Sequence, residues 1–469
     1  MVTSRSLLSY YSAKGAINNL NKIHLSAPPS YLCIMSNIKD QSGILSKLGI
    51  EKLNAMQKEA GLAINSSNEI ILLSPTGTGK TLAFLLPIIT KLNTECKEIQ
   101  VLIVVPSREL AIQIEQVARN MGTGYKTNTV YGGQAFSKDL INLKHRPAIL
   151  IGTPGRIADH IYRQTFTTND IKILVLDEFD KSLEIGFELD MKEILEALTS
   201  VESKILTSAT QGVELPKFVS IKKPTVVDYL AEGVSKLEVK TINSPTKDKL
   251  KTLVDTLYVL GNKPGIIFCN FKDSIDRVSE YLTDSHISHG CFYGGMEQND
   301  RERALIKFRN GTHQLLIATD LAARGIDVPE IEFIIHYHLP LKADEFTHRN
   351  GRTARMNSDG TAYVLKWEKE QLPEFITNTD LFKLTQAPKP ALSSWSTLFI
   401  SGGRKDKISK GDIAGLFFKK GNIDKDDLGV IELKTDCAFV GIKKDKLASI
   451  IDQFNNTRIK KRKVRMYEV

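Results

Sequence analysis

Ile70-Ile71-Leu72-Leu73-Ser74-Pro75-Thr76-Gly77-Thr78-Gly79-Lys80-Thr81, running on into Leu82-Ala83-Phe84-Leu85-Leu86, decides how the rest of this sequence is read. An apolar run, a glycine loop and an apolar helical pattern follow one another. That order builds a phosphate cradle. Gly77 and Gly79 let the backbone bring its N–H groups close to an anion, and the N-terminus of the new helix adds a favourable dipole. Ser74, Pro75, Thr76, Gly77, Thr78, Gly79, Lys80 and Thr81 are therefore candidate nucleotide-binding residues. Lys80 can reach the outer phosphates, and the Thr81 hydroxyl can ligate Mg2+. The complete motif begins with glycine where this chain has Ser74.

Outward from the cradle, apolar β-rich runs alternate with amphipathic helical patterns. Val101–Val105, Ala148–Ile151, Ile173–Leu176 and Lys204–Leu206 are the runs of the first half. This alternation predicts a doubly wound parallel sheet with ligands at the carboxyl ends of its strands. Pro106-Ser107-Arg108, Thr153-Pro154-Gly155-Arg156, Asp177-Glu178 and Ser208-Ala209-Thr210 fall just after those runs and would line that edge. Pro224 to Lys236 reads as a crossover linker. The alternation then restarts with Ile266–Phe268, a helix through Val278–Leu282, Gln314–Ala318 and Ile331–His336. Beyond a proline-interrupted stretch, Gln386 to Pro390, a βαββαβ order predicts a small α+β domain with an open sheet face, its last strand at Lys463–Tyr467.

With 469 residues the chain is too long for one core. The expected division is a disordered tail at 1–38, a first α/β lobe at 39–229, a linker at 230–236, a second lobe at 237–374, a linker at 375–392 and the small domain at 393–469. No apolar run approaches a membrane span, so no membrane partner is expected. The five cysteines include no C-x-x-C pair, which argues against zinc sites and a disulfide framework and fits a reducing, cytoplasmic compartment. Residues 1–34 contain no acid and a single arginine, Arg5, and Met35 reads like a natural start. The net charge of +9 is unevenly placed: residues 387–469 hold 18 Lys and Arg against 10 Asp and Glu. Such asymmetry points to nucleic acid or an acidic membrane surface.

Asp177 ends an apolar strand, and an acid there, on a strand neighbouring the cradle, can hold magnesium while Glu178 orients an attacking water. His348-Arg349-Asn350-Gly351-Arg352-Thr353-Ala354-Arg355 supplies positive charge from the second lobe, its arginines three apart and so on one side of a helical turn. Guanidinium groups from a second lobe stabilise phosphoryl transfer only when the cleft closes. His336 and His338 could suggest a metal pair, but no third ligand is visible, and they read as ordinary strand-end histidines.

At these residues the chain resembles a DEAD-box RNA helicase, in the family's motif order over about residues 40–370. Leu53-Asn54-Ala55-Met56-Gln57 is similar to the adenine-reading motif. Pro106 to Leu110, Gly132-Gly133 and Thr153 to Arg156 are similar to the first-lobe RNA-contact motifs, and Asp177-Glu178-Phe179-Asp180 to the name-giving one. Ile267–Asn270, Gln298–Arg301, Ala318–Asp327 and His348–Arg355 complete the set. The resemblance implies two RecA-like lobes, ATP and Mg2+ as cofactors, and RNA as partner. It implies catalysis by Lys80, Glu178, Arg352 and Arg355, magnesium at Thr81 and Asp177, and further ATP contacts from Gln57 and Asp327. Asp180, Ser208, Thr210 and His348 would couple the lobes. Arg108, Gly133, Thr153, Gly155, Arg156, Gln298, Arg301 and Thr319 would grip the RNA backbone, without reading bases. The chain departs from the family at Phe179, usually alanine, at Leu53-Asn54, usually Pro-Thr, and at His338, usually aspartate. Tyr31 is a poor candidate for stacking on adenine.

The C-terminal stretch Leu398 to Lys407, with Gly411-Asp412-Ile413, resembles the DbpA-type RNA-binding domain of some bacterial DEAD-box proteins, which has an RRM-like fold. Phe399 and Phe439 fit its base-stacking positions, whereas Cys437 stands where an aromatic is expected. Arg404 and Lys405, with Lys460, Lys461 and Arg462 of the basic run, are the candidate RNA contacts there, structured ribosomal RNA being one possible target. The implied activity is ATP-driven, local RNA unwinding or RNP remodelling. Two other readings stay open: an ATP-gated RNA clamp, separable by duplex release under a non-hydrolysable analogue, and a DNA translocase, separable by an ATPase response to duplex DNA.

Overall fold

The alternation of strands and helices folds into two sheets of the same plan. A computed structural model describes residues 41–182, 186–210, 215–231, 237–320, 331–353, 359–377, 379–421 and 423–469. The first sheet contains β1 (Glu69–Leu73), β2 (Val101–Val104), β3 (Thr127–Val130), β4 (Ile149–Gly152), β5 (Ile173–Leu176), β6 (Ser203–Ser208) and β7 (Thr225–Asp228). Its order is β3-β4-β2-β5-β6-β1-β7, parallel throughout. Every residue of β2, β4 and β5 is buried because helices cover both faces. Period-two alternation divides the core: Val101 and Ile103 pack with Phe84 and Ile88 on one face, Leu102 and Val104 with Ile157 on the other.

The second sheet contains β8 (Leu237–Ser244), β9 (Gly265–Phe268), β10 (His289–Phe292), β11 (Leu315–Ala318), β12 (Phe333–His336), β13 (Gly360–Trp367) and β14 (Asp380–Leu381). Its order, β10-β11-β9-β12-β13-β8-β14, repeats that of the first sheet position by position. The third domain is an antiparallel sheet of β15 (Trp395–Ile400), β16 (Leu428–Leu433), β17 (Ala438–Lys443) and β20 (Met466–Glu468), ordered β16-β17-β15-β20. Helices Lys410–Lys420 and Lys444–Phe454 pack on one of its faces through Ile413, Phe417, Leu447 and Ile450. A small hairpin, β18 (Arg458–Ile459) with β19 (Arg462–Lys463), precedes the last strand.

Three expectations need correction. The stretch read as linker from Pro224 contains β7, whose backbone pairs with β1 and closes the edge of the first sheet. Asp177 does not end a strand adjacent to the cradle strand, because β6 lies between β5 and β1. The last strand expected at Lys463–Tyr467 is split: Lys463 belongs to the hairpin, and the sheet strand starts at Met466. Residues 1–40, with Arg5, Tyr31 and Met35, lie outside the described residues. No helix among the described residues is long and apolar enough to cross a membrane.

Candidate active site between the lobes

The cradle forms where β1 ends. The Ser74 N–H donates to the Ser208 carbonyl at 3.1 Å, carrying the β1–β6 pairing one step past the strand and fixing the start of the loop. Gly77 at φ 86° and Gly79 at φ 88° adopt the left-handed region, which side-chain-bearing residues enter only with strain. Helix α3 (Lys80–Lys91) starts directly after Gly79. The Lys80 ammonium donates to the Ser74 and Pro75 carbonyls at 2.5 and 2.9 Å. Burial lowers its pKa, against the pull of Asp177, Glu178 and Asp180, and Arg352 lowers it further. Acids that follow β5 and an arginine of the second lobe thus act electrostatically on one lysine.

Asp177 is 3% exposed. Burial and the neighbouring Glu178 charge push its carboxyl up to about 6, opposed by the Thr207 hydroxyl and by Lys80. Its Oδ1 accepts from Thr207 and from the Glu178 N–H. Glu178 sits at φ 49°, an uncommon conformation for a side-chain-bearing residue and one found often at functional sites. Its buried Oε2 makes no hydrogen bond within the protein. A buried carboxylate pair with one oxygen left over, taken with the hydroxyl of Thr81 in the first turn of the helix, is a donor set of the kind Mg2+ takes. The fit is chemical, since all the donors are hard oxygens.

The second lobe completes the wall. A Cβ placed on Gly351 would lie 3.2 Å from Thr76 Oγ1, so this glycine lets the second lobe approach the phosphate loop closely. Arg352, 2% exposed, follows it. Arg349 and Arg352 do not share one side of a helical turn as expected. The helix Ala343–Asn350 ends before Arg352, and Arg349 is turned into its own lobe. There it makes two 2.6 Å bonds to Asp320 and two of 2.8 Å, to Asn270 Oδ1 and the His338 carbonyl. Its pairing with Asp320 offsets the cost of burying this large cation. Arg355 and Asp327 lie outside the described residues.

The four residues expected to couple the lobes are brought together. His348 Nε2 lies 2.8 Å from Asp180 Oδ2, Thr210 donates to that oxygen at 3.4 Å, and Ser208 lies 3.2 Å from Thr210. Of the expected RNA grips, Arg108, Gln298 and Arg301 make contacts between the lobes. Arg108 donates to Gln298 at 3.3 Å, and Arg301 forms a bidentate pair with Glu109 at 2.9 and 2.8 Å, both partners 7% exposed. Gly133, at φ 83°, lies against the Arg108 guanidinium, where a Cβ would come within 2.4 Å. Arg156 is held by Asp139 at 2.6 Å and the Gln134 carbonyl at 2.7 Å. Thr153 precedes helix Pro154–Tyr162 and accepts the Arg156 N–H, and the Thr319 N–H reaches the Phe292 carbonyl. A Cβ on Gly155 would approach Asp190 at 3.2 Å. Glu109 and Asp139 are partners that reading by motif missed. Glu109 was signalled only as an acid inside an otherwise RNA-facing motif, which names no partner, and Asp139 lies outside the motifs altogether.

His336 is buried and bonds Asn350 at 3.1 Å, its pKa lowered to about 3 by burial and Arg349, and His338 Nδ1 accepts the Asn270 N–H. In the third domain, Phe399 packs against Phe439 and Tyr467 at centroid distances of 5.4 and 4.7 Å. On that same face Thr397 is fully buried against Asn310 and Thr312 of the second lobe, and Glu432 pairs with Arg309 at 2.8 Å. The face expected to stay open for bases is thus partly seated on the second lobe, while Tyr467 stays exposed. Arg404, Lys405 and Lys461 are exposed, whereas Lys460 is paired with Asp412 at 2.7 Å and Arg462 lies 3.7 Å from Asp406.

A glycine cradle, a buried acid pair and a second parallel-sheet lobe that closes on both define a two-lobed nucleotide-dependent helicase core. The sequence matches the DEAD/DEAH box helicase family over residues 54–218, the helicase conserved C-terminal domain over 248–357 and the DbpA RNA binding domain over 397–468. It is 29% identical to the ATP-dependent RNA helicase DbpA of Bacillus subtilis, over 90% of this chain and 96% of that one. It is 34% identical to the ATP-dependent RNA helicase eIF4A of Emericella nidulans, over 67% of this chain and 81% of the relative. Among solved structures, S. cerevisiae Dbp5 bound to RNA and ADP BeF3 matches with a TM-score of 0.63 at 26% identity, covering 70% of this chain and 86% of that one. The chain belongs to the DEAD-box family of ATP-dependent RNA helicases, with a DbpA-type RNA-binding domain at its C-terminal end.

Proposed function

We propose that this helicase opens short RNA duplexes, or remodels RNA–protein complexes, locally and without processive movement. The observation that carries the reading is the close approach of Gly351 to Thr76, with Arg352 acting on Lys80 of the cradle. In this scheme Lys80 and the loop amides hold the ATP phosphates, with Gln57 at the adenine end. Thr81 and Asp177 would hold Mg2+, which neutralises charge on the phosphates when bound. Glu178, with its unbonded Oε2, orients the attacking water, and Arg352 stabilises the equatorial oxygens of the transferring group. Asp180, Thr210 and His348 make this arrangement depend on the lobes meeting.

RNA bound across both lobes rewards closure, and a strand bent to fit that surface cannot remain in a duplex. Base-pair steps are worth about 1.4 kcal/mol each by the DNA value, so roughly ten pairs amount to about 14 kcal/mol, which suits a single clamping event. The third domain, with Arg404, Lys405 and Lys461 outward, would direct the core to a structured RNA. Ribosomal RNA, in ribosome assembly in the cytoplasm, is our proposed target. The test of the chemistry is Glu178→Gln: RNA-stimulated hydrolysis should fall at least about a hundredfold with ATP binding retained. Hydrolysis left intact would sink the assignment. Crosslinking of RNA to the full chain in cells tests the target, and a map without ribosomal RNA would remove that part alone.

A further inference from the structure

Asn54 uses both ends of its amide. Oδ1 accepts the Gln57 N–H at 2.8 Å and Gln57 Oε1 accepts the Asn54 N–H at 3.0 Å, a capping box at the start of helix α2 (Ala55–Ser66). Nδ2 donates to the Thr78 carbonyl, inside the phosphate loop, at 3.0 Å. A cap needs only an acceptor, so the helix does not account for the second bond. Threonine, usual here in the family, can cap with its one hydroxyl but has no separate donor to send elsewhere.

The second bond orients a peptide plane. None of the described peptide bonds is cis. In a trans peptide the C=O and the next residue's N–H point in opposite directions, so drawing the Thr78 carbonyl toward α2 turns the Gly79 N–H away from α2. That N–H is one of the amides a glycine loop offers to phosphate. The following peptide is aligned by the helix itself, since Gly79 O accepts the Ala83 N–H at 3.1 Å, with Gln57 Nε2 at 3.3 Å. Thr78 is also held by its side chain: the fully buried Ser74 donates to Thr78 Oγ1 at 2.7 Å, which donates to the Pro75 carbonyl at 2.9 Å. Carbonyl and hydroxyl of one loop residue are both anchored.

We propose that Asn54 is a positioning residue for the phosphates of ATP, aiming the Gly79 N–H through its bond to the Thr78 carbonyl. The inference rests on the reading of Ser74–Thr81 as the ATP site. It separates a phosphate task from the adenine reading assigned to Gln57, three residues on.

The test compares the full chain with Asn54→Thr, which keeps a capping oxygen and loses the amide donor. ATP, ADP and adenosine are titrated, adenosine by competition with a fluorescent ADP. ATP and ADP should each bind about fivefold more weakly, the worth of one neutral hydrogen bond. Adenosine affinity should not move, and the thermal midpoint should fall by no more than about 4 °C. Asn54→Asp, which also keeps the acceptor and lacks the donor, should lose at least as much. Unchanged ATP affinity in both variants, or equal losses for adenosine and ATP, would overturn the proposal. A wild-type chain that bound no ATP would instead remove the reading of the cradle on which it rests.

Discussion

The two lobes share one strand order and differ in the loop after its first strand. In the first lobe Ser74-Pro75-Thr76 runs into Gly77-Thr78-Gly79-Lys80, and in the second Ser244-Pro245-Thr246 runs into Lys247-Asp248-Lys249-Leu250. Both glycines are gone from the second loop. Ser244 Oγ donates back to the Thr246 carbonyl at 2.8 Å. Lys249, 6% exposed, donates to the Leu365 carbonyl at 2.8 Å and lies 3.6 Å from Glu370. In register, Leu250 stands where Lys80 does, and Lys249, at the place of Gly79, is a structural plug rather than a candidate phosphate ligand. The glycine cradle was not repeated with the fold, and in the proposed scheme the second lobe contributes to the chemistry by presenting Arg352 to the first.

If that division of labour holds, removing the contribution of the second lobe should have the largest effect. Arg352→Ala should lower the RNA-stimulated turnover about a thousandfold while ATP affinity changes little, read by phosphate release and equilibrium titration. Next comes the joint itself. Glu109→Ala leaves Arg301 buried without its carboxylate, a penalty of about 3 kcal/mol on the closed state. The RNA concentration for half-maximal ATPase should rise roughly a hundredfold, with each lobe still folded by circular dichroism. The plug sharpens the contrast: Lys249→Ala should cost about 1 kcal/mol in denaturant unfolding and leave ATP affinity unchanged. The smallest effect is expected in the third domain. Phe399→Ala should weaken RNA binding by less than the roughly 1 kcal/mol that loss of a working base platform costs, because Phe399 is packed against Phe439 and Tyr467 on a face partly seated on the second lobe.

The central strands could be read from the sequence because burial on both faces leaves continuous apolar runs, as in Val101–Val104 and Ile173–Leu176. The edge strands could not. Thr127–Val130, Thr225–Asp228 and His289–Phe292 mix polar and apolar residues because each has one neighbour and partial exposure. Leu237–Ser244 and Gly360–Trp367 were missed as well, since both interleave polar residues with apolar ones. At the site, the cradle and the acid pair were legible as local motifs. Their partners were not: Glu109 and Arg301 are 192 residues apart, and Asn54 and Thr78 are 24 apart. Arg349 misled by its spacing, because a motif records which residues are present and not that Asp320 claims one of them.

The central claim is that the first lobe hydrolyses ATP only while the second is closed on it. Simultaneous recording of an interlobe fluorescence-transfer signal and of phosphate release, on the full chain with ATP and a short RNA duplex, tests it most directly. The account predicts that each release follows a closed interval, and that Arg352→Ala still closes but does not release phosphate. Phosphate released at the wild-type rate from molecules whose lobes stay apart would contradict it.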